Sequence, residues 1–306
     1  MNKTKIYALF FIAFFLPLFS SAKVLGQTDT SLTKVQNAGK IVIGTNAEYA
    51  PFEFRDPSTN EIVGFDVDIA KYIAQKLGVE IQWVDVAFDV LITQLAANNF
   101  DCVIAAMSVT DERKESVSFT RWYYKSEQAV LVKIGNMDIR SVDDINKTSI
   151  KAGAQDGTVS ADYISQDTQA QLISYSTITL AVTALDQGTI DAVLGDYAVL
   201  ASVLKNQPNK FKIVDTFSPE DFAIAVPKGS NALLAALNES INDLLGSDVE
   251  SPRPSEKYNE IFKKWFEVDA AFPGQGGEIN GFPIIGLAFA VSIGILVSIR
   301  KFKRMH

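Results

Sequence analysis

The order of apolar segments in this 306-residue chain predicts an α/β fold built in two lobes. Segments with the composition of strands alternate with segments of helical spacing. This alternation runs once before about residue 131 and starts again after it. Alternating strand and helix units are typical of parallel sheets covered by helices. The compact part of the chain is predicted over about residues 37–269.

The first set of alternating elements begins with the β-branched run 40–43. Residues 65–77 then place Val67, Ala70, Ile73 and Leu77 on one face of a helix that should stop at Gly78. Residues 79–84 alternate between apolar and polar, as a strand does. A second helix is predicted over 89–97 and a buried strand over 100–105.

The second set repeats this order with shorter signals. Residues 150–152 and 191–194 are predicted strands, and residues 179–187 and 197–205 are predicted helices. Ligands of such folds bind where the carboxyl ends of the strands meet. Polar residues that follow these strands are therefore the first candidates for a site.

The N-terminus has the pattern of a secretory signal peptide, which we assign to residues 1–26. Lys3 and Lys5 precede an apolar run over 6–19, and small residues follow at 20–22. An uncleaved membrane anchor is the alternative. A run of about 14 residues spans only about 21 Å as a helix, which is short for a bilayer core of about 30 Å.

The C-terminus has the pattern of a membrane anchor. Residues 282–299 carry no charge and are followed by four basic residues within the predicted cytoplasmic tail, 300–306. Residues 270–281 contain the Gly-rich stretch of a linker. A core helix of the compact domain is the alternative to the predicted transmembrane helix. With the transmembrane helix, the compact domain would lie at the extracytoplasmic face of the cell membrane.

Charge and composition exclude several function classes. The chain carries a net charge of −8, and the predicted signal and tail contain basic residues but no acidic ones, so the exported part is more acidic still. An acidic surface disfavours nucleic acid as a partner. The single cysteine, Cys102, allows no internal disulfide, and the single histidine is the last residue. A Ser-His-Asp triad and a His-rich metal site are therefore excluded, and we predict no cofactor and no catalytic residue.

Seven segments in a fixed order resemble the family 3 extracellular solute-binding proteins, which serve polar amino-acid ABC transporters. Together they span about residues 35–268. These segments are 44–54, 63–70, 100–113, 157–158, 190–196, 226–230 and 258–266.

The resemblance implies a two-lobed, periplasmic-binding-protein-like (type II) fold with two hinge strands. The first lobe would comprise residues 37–128 and 224–268, and the second lobe residues 131–220. The chain would cross between the lobes at about 128–133 and 222–225. Such a protein closes around its ligand and passes it to the permease subunits of an ABC importer.

The resemblance also implies how the ends of an amino acid are held. Arg113 would bind the carboxylate, and backbone N–H groups of Thr158, Val159 and Ser160 would close over it. Asp196 would bind the ammonium group. The Ser108 hydroxyl and the Ala106 carbonyl would assist Asp196. From the residues alone, Arg113 could instead be a solvated surface arginine and Asp196 only a helix N-cap.

The ligand side chain would lie between Tyr49 and Phe88 by the same resemblance. Asn46 and Gln155 occupy positions that vary with the ligand. Because Asn46 is a neutral amide where binders of cationic amino acids commonly have an acid, we expect a neutral polar ligand such as glutamine. Glu48 would reverse this preference if it pointed inward.

Two other functions remain open at this stage. Some proteins of this fold are dehydratases of prephenate-like compounds, and Glu48 is the carboxylate available here as a general acid. The chain could also be a ligand-sensing receptor domain. It would then need a separate membrane partner to pass on the signal, because only seven residues follow the predicted anchor.

Overall fold

A computed structural model describes residues 29–267. The predicted signal peptide, linker, transmembrane helix and cytoplasmic tail lie outside the described residues. Within residues 29–267, the structure contains no helix whose length and apolar character would let it cross a membrane.

The first half of the described chain supplies seven strands and four helices. They are α1 (Ser31–Ala38), β1 (Lys40–Thr45), β2 (Glu48–Tyr49), β3 (Glu53–Arg55), β4 (Ile62–Val63), α2 (Phe65–Leu77), β5 (Glu80–Asp85), α3 (Leu91–Ala96), β6 (Cys102–Val103), α4 (Asp111–Ser116) and β7 (Val117–Lys133). The predicted helix over 89–97 is shorter than expected, because Phe88–Val90 form a 3-10 turn before α3.

The second half supplies four strands and five helices. They are β8 (Lys151–Gln155), α5 (Val159–Asp167), β9 (Gln171–Tyr175), α6 (Ile178–Gln187), β10 (Ala192–Asp196), α7 (Tyr197–Asn206), β11 (Phe211–Pro227), α8 (Asn231–Leu245) and α9 (Glu256–Phe266).

One eight-stranded sheet joins the two lobes, in the order β5-β1-β6-β11-β7-β10-β8-β9. In the first lobe β1 is parallel to β5 and β6, and in the second lobe β8 is parallel to β9 and β10. Between them, β7 and β11 pair antiparallel over nearly their full length of 17 residues each. These two strands are the hinge strands. The predicted crossings at 128–133 and 222–225 are segments of them.

The predicted helix boundaries agree best with the structure where the residue after the helix gives the stop signal. Helix α2 ends at Leu77, and Gly78 takes φ +71°, the left-handed conformation in which glycine has no Cβ penalty. The predicted strand over 100–105 is wrong in extent, because only Cys102–Val103 form a strand. The following residues leave the sheet: Ala106 adopts φ +44°.

The cores of the lobes are apolar, and one cluster of buried side chains continues from the first lobe into the second. Aromatic rings dominate the first lobe, where Phe52, Phe65 and Tyr124 pack against one another and against Phe266 of α9. Cys102 is fully buried, as predicted for a structural cysteine, and burial raises the pKa of its thiol. These packed cores hold the strand ends at which the polar residues lie.

Candidate ligand-binding site

The predicted site residues come together between the two lobes. Asn46 follows β1 of the first lobe, and Gln155 and Asp196 are the last residues of β8 and β10 in the second lobe. This is the carboxyl edge of both parallel sets of strands, where α/β folds bind ligands.

Arg113 is held in the cleft and is not a solvated surface residue. Thr110 caps helix α4 by accepting a hydrogen bond from the Arg113 backbone at 3.1 Å. The guanidinium donates from Nη1 to the Ser108 carbonyl at 2.7 Å and from Nη2 to the Gly157 carbonyl at 2.9 Å. The guanidinium carbon, Cζ, lies 5.4 Å from the centre of the Phe88 ring. Burial lowers the pKa of Arg113 while nearby carboxylates oppose the shift, so the group stays protonated.

The N-terminus of α5 faces the same part of the cleft as Arg113. Thr158 caps this helix by accepting from the Ala161 backbone at 3.4 Å, and its hydroxyl donates to the Gln155 carbonyl at 2.7 Å. The first N–H groups of a helix have no partner within the helix and attract anions. Val159 and Ser160 lie in this first turn, and Gly157, whose carbonyl contacts Arg113, directly precedes Thr158.

Asp196 is a buried acceptor of three side-chain hydrogen bonds. It occupies the N-cap position of α7, but its side chain makes no capping bond. Its carboxylate accepts from the Tyr49 hydroxyl at 2.5 Å, from Gln128 Nε2 at 2.9 Å and from Ser126 Oγ at 3.2 Å. Burial raises the pKa of Asp196 to about 6, although these bonds and Arg113 act in the opposite direction.

Ala106 and Ser108 lie on the segment that connects β6 with Arg113. The Ala106 backbone donates to Asp66 Oδ2 at 2.7 Å, and the Tyr123 hydroxyl donates to the same oxygen at 2.6 Å. Asp66 is fully buried at the start of α2. It therefore holds Ala106 in its left-handed conformation from behind the cleft.

Tyr49 and Phe88 flank the cleft in different ways. Tyr49 is buried, with 6% of its surface exposed, and its hydroxyl is used by Asp196. Phe88 is partly buried in the 3-10 turn before α3, with its ring against the Arg113 guanidinium. The sandwich of a ligand side chain between these rings stays a prediction.

Asn46 and Gln155 meet across the cleft as a pair of neutral carboxamides. Gln155 Nε2 donates to Asn46 Oδ1 at 2.8 Å, and Asn46 Nδ2 donates to the Val86 carbonyl at 3.0 Å. Both side chains are buried. The two variable positions of the predicted site therefore lie together at one end of the cleft.

Three of the hydrogen bonds made by predicted site residues join the lobes directly: Tyr49 with Asp196, Asn46 with Gln155, and Arg113 with the Gly157 carbonyl. Each pairs a residue of the first lobe with a residue of the second. The structure is thus a closed arrangement of the lobes.

Glu48 does not belong to this cluster. It is exposed and lines a crevice of about 400 Å³ at the rim, together with Arg55 and with residues of α6 and α7. Glu48 does not point into the cluster, so it gives no reason to change the expectation of a neutral polar ligand.

Three polar residues of the cluster were not among the predicted site residues: Ser126 and Gln128 on β7, and Glu220 on β11. Gln128 donates to Asp196 and accepts a short hydrogen bond from Ser160. The Glu220 carboxylate accepts from the Ser108 hydroxyl at 2.5 Å. Their place on the hinge strands was the available signal, because both strands pass through the cleft.

Comparison with known proteins places the chain in a family. Residues 41–268 match the model of the bacterial extracellular solute-binding proteins, family 3. The ABC transporter glutamine-binding protein GlnH of Bacillus subtilis (strain 168) is 32% identical over 79% of this chain and 86% of its own length. The ABC transporter arginine-binding protein 1 of Escherichia coli (strain K12) is 33% identical over 75% of this chain and 91% of its own.

A solved structure agrees with the sequence matches. The crystal structure of an ancestral amino-acid-binding protein, a precursor of cyclohexadienyl dehydratase, is 31% identical with a TM-score of 0.70. The match covers 77% of this chain and 99% of that one. The protein described here is a member of the family 3 bacterial extracellular solute-binding proteins.

Proposed function

We propose that the protein binds a free amino acid between its lobes and delivers it to an ABC importer. The observation that carries this proposal is the placement of a half-buried cation, Arg113, and a buried acid, Asp196, in one cleft. A zwitterion has one group for each of them.

The carboxylate of the ligand would bind between Arg113 and the first turn of α5. A guanidinium matches a carboxylate with two parallel hydrogen bonds, each worth about 1.5–3 kcal/mol when one partner is charged. The carbonyls of Ser108 and Gly157 already orient both Nη atoms at 2.7 and 2.9 Å. Backbone N–H groups of Thr158, Val159 and Ser160 would complete this subsite.

The ammonium group would bind at Asp196, with the Ser108 hydroxyl and the Ala106 carbonyl beside it. It would replace the Tyr49 hydroxyl as a partner of the carboxylate. Because Arg113 belongs to the first lobe and Asp196 to the second, a ligand that contacts both binds the closed state more tightly. Binding then shifts the equilibrium toward closure through the hinge strands.

The side chain of the ligand is proposed to be neutral and polar, with glutamine as the first candidate. Asn46 and Gln155 offer amide donors and acceptors without charge at the far end of the cleft. A carboxamide side chain has the same chemistry. Acidic amino acids are disfavoured, because the cleft already holds more acidic groups than basic ones. The names of the two curated relatives, glutamine-binding and arginine-binding, support the amino-acid class.

The arrangement at the membrane is also part of the proposal. The lobes, 37–128 with 224–268 and 131–220, would dock in their closed form on the permease subunits at the extracytoplasmic face. The segment 282–299 would tether the domain there, and a tether raises the effective concentration of the binding protein. The relatives named above serve ABC transporters by their names.

The dehydratase alternative loses the residue on which it depended. Glu48, its general acid, is exposed at the rim crevice, away from Arg113 and Asp196. The receptor alternative has no observation in its favour among residues 29–267. Binding for transport is therefore the function that we propose.

A thermal-shift panel of the twenty amino acids tests this function. The purified protein is first unfolded and refolded to remove any amino acid that copurifies. An amino acid at 100 times its dissociation constant should stabilise the protein by about 2.7 kcal/mol. Arg113→Ala should abolish the shift, and Arg140→Ala, which changes an exposed arginine outside the cleft, should retain it. A folded protein that responds to none of the twenty would contradict the proposal.

A further inference from the structure

Glu220 is brought into the cleft by an irregularity of the hinge strand β11. The pairing of β11 with β7 shifts between Phe217 and Pro219, and Ser218 adopts φ +47°. An extra residue in one strand changes the face on which the following side chains lie, and such bulges are common beside binding sites. Glu220 is the second residue after this bulge, with its carboxylate on Ser108 Oγ at 2.5 Å.

The backbone fixes Glu220 beside the predicted ammonium subsite. Val109 donates to the Asp221 carbonyl at 2.9 Å, and Ala223 donates to the Met107 carbonyl at 3.1 Å. Residues 107–109 and 221–223 therefore run side by side, with Ser108 opposite Phe222. The contact of Glu220 with Ser108 follows from this pairing of β11 with residues 107–109.

The charges of the cleft do not balance for a neutral amino acid. Within the described residues, the cluster of Arg113, Asp196 and Glu220 sets one cation against two carboxyl groups. In the ligand-free cleft, a proton on one carboxyl group removes this excess and separates two like charges. The carboxylate of a bound zwitterion would pair with Arg113, and its ammonium group would then be a cation in contact with both carboxyl groups. That contact favours the ionised form of both.

We propose that Glu220 is a second acidic contact for the ammonium group of the ligand, and that binding releases a proton from Glu220. This inference rests on the proposed function, because it requires an amino acid bound between Arg113 and Asp196. The Glu220 O–H bond breaks, its proton goes to solvent, and the carboxylate that forms pairs with the ammonium group.

The groups that face Glu220 explain why it would hold a proton without a ligand. Burial and the Asp196 carboxylate raise the pKa of Glu220 to about 8, while Ser108 and Arg113 act in the opposite direction. Gln128 and the Tyr49 hydroxyl face it from β7 and from the first lobe.

The charged neighbours of Glu220 on the paired strand have other partners. Lys125 pairs with Asp221 at 2.9 Å. Glu127 lies opposite Pro219, and its hydrogen-bond partner is Thr216. Among these neighbours, no lysine neutralises the Glu220 carboxyl group. An ammonium group in contact with Glu220 would therefore lower the pKa of Glu220.

Calorimetry of L-glutamine binding in two buffers tests the proton release. Phosphate and Tris differ strongly in their heat of ionisation, so the difference in binding heat at pH 7 counts the protons released. L-arginine and L-histidine are the probes if L-glutamine gives no heat. We expect release of about one proton for the wild-type protein, because Glu220 is the group whose charge changes.

Two variants assign the proton. Glu220→Gln should abolish the release, and its dissociation constant relative to wild type should rise from near one at pH 5.5 to about tenfold at pH 7 and on the order of a hundredfold at pH 8.5. Asp221→Asn is the matched control, because it changes the next residue, which pairs with Lys125. It should release the proton as the wild type does. If Glu220→Gln does not fold, Glu220→Asp should shift the pH range of the release.

The outcomes separate this inference from the function on which it rests. Equal heats in both buffers for a wild-type protein that binds would overturn proton release and leave amino-acid binding intact. A proton still released by Glu220→Gln, or a release by Glu220→Asp with the wild-type pH range, would overturn the assignment. A wild-type protein that binds none of the probes, nor any amino acid of the panel, would refute the proposed function itself.

Discussion

Gly157 is the position at which closure of the lobes is most easily tested. It precedes α5 in the second lobe with φ +71°, and a Cβ added to it would lie 2.8 Å from the Asp89 Cα and 2.9 Å from the Asp89 Cβ. Asp89 belongs to the first lobe. The added methyl group would therefore clash across the cleft only when the lobes are closed.

The expected size of the effect follows from these distances. Carbon atoms pack at about 3.5–4.0 Å, so the lobes would have to move apart by about 0.7 Å or more at this point. Overpacking of this kind costs about 1–3 kcal/mol. Since 1.4 kcal/mol is a factor of ten, Gly157→Ala should weaken amino-acid binding by about fivefold to 150-fold.

The matched control is Gly78→Ala. Gly78 also has φ +71°, but no atom lies within 4 Å of an added Cβ. Both variants should lose about 1 kcal/mol of stability from the left-handed backbone, because both replace glycine there. Only Gly157→Ala should lose affinity in calorimetry. Equal affinities for Gly157→Ala and Gly78→Ala would refute the close approach of the lobes at Asp89.

Three further changes test the subsites and the buried acids. Arg113→Lys should weaken binding by about tenfold to a hundredfold in calorimetry, because a lysine loses the paired geometry of the guanidinium; unchanged affinity would remove Arg113 from the site. Asn46→Asp should shift the preference between arginine and glutamine toward arginine by about tenfold, measured as the ratio of dissociation constants; a ratio equal to wild type would place the side chain elsewhere. Glu53 is buried against Asp66, and burial raises its pKa well above the usual value, so the folded protein keeps a proton that the unfolded chain loses above about pH 4.3. The contribution of Glu53 to wild-type stability then falls by about 1.4 kcal/mol per pH unit above that value, and Glu53→Gln should gain on the wild type as pH rises from 5 to 8 in urea unfolding; a difference independent of pH would contradict it.

Much of the fold could be predicted from the sequence because its signals are local. The spacing of apolar residues and the glycine stop located α2 over its observed range, and the alternation of strands and helices indicated two parallel sets of strands. The family motifs then indicated a cleft between them. Arg113, Asp196, Asn46 and Gln155 do lie together in the structure.

The lengths of β7 and β11 were not predicted from their own residues. Each strand has 17 residues, and their ladder carries four register shifts. Pairing between segments about 100 residues apart depends on both lobes being folded, so no window of the sequence contains it. The bulge at Ser218 belongs to this ladder, and it decides on which face Glu220 lies.

The sequence by itself determined the α/β class, the family and the residue types available for an amino acid. Only the tertiary structure decided which partner each polar group takes. Asp196 has the local position of a helix cap, yet its carboxylate accepts from Tyr49, 147 residues away. Burial makes an unpaired carboxylate costly, so the side chain takes the partners that folding brings within reach. Those partners come from the other lobe and from the hinge strands, which lie close to Asp196 only after the chain has folded.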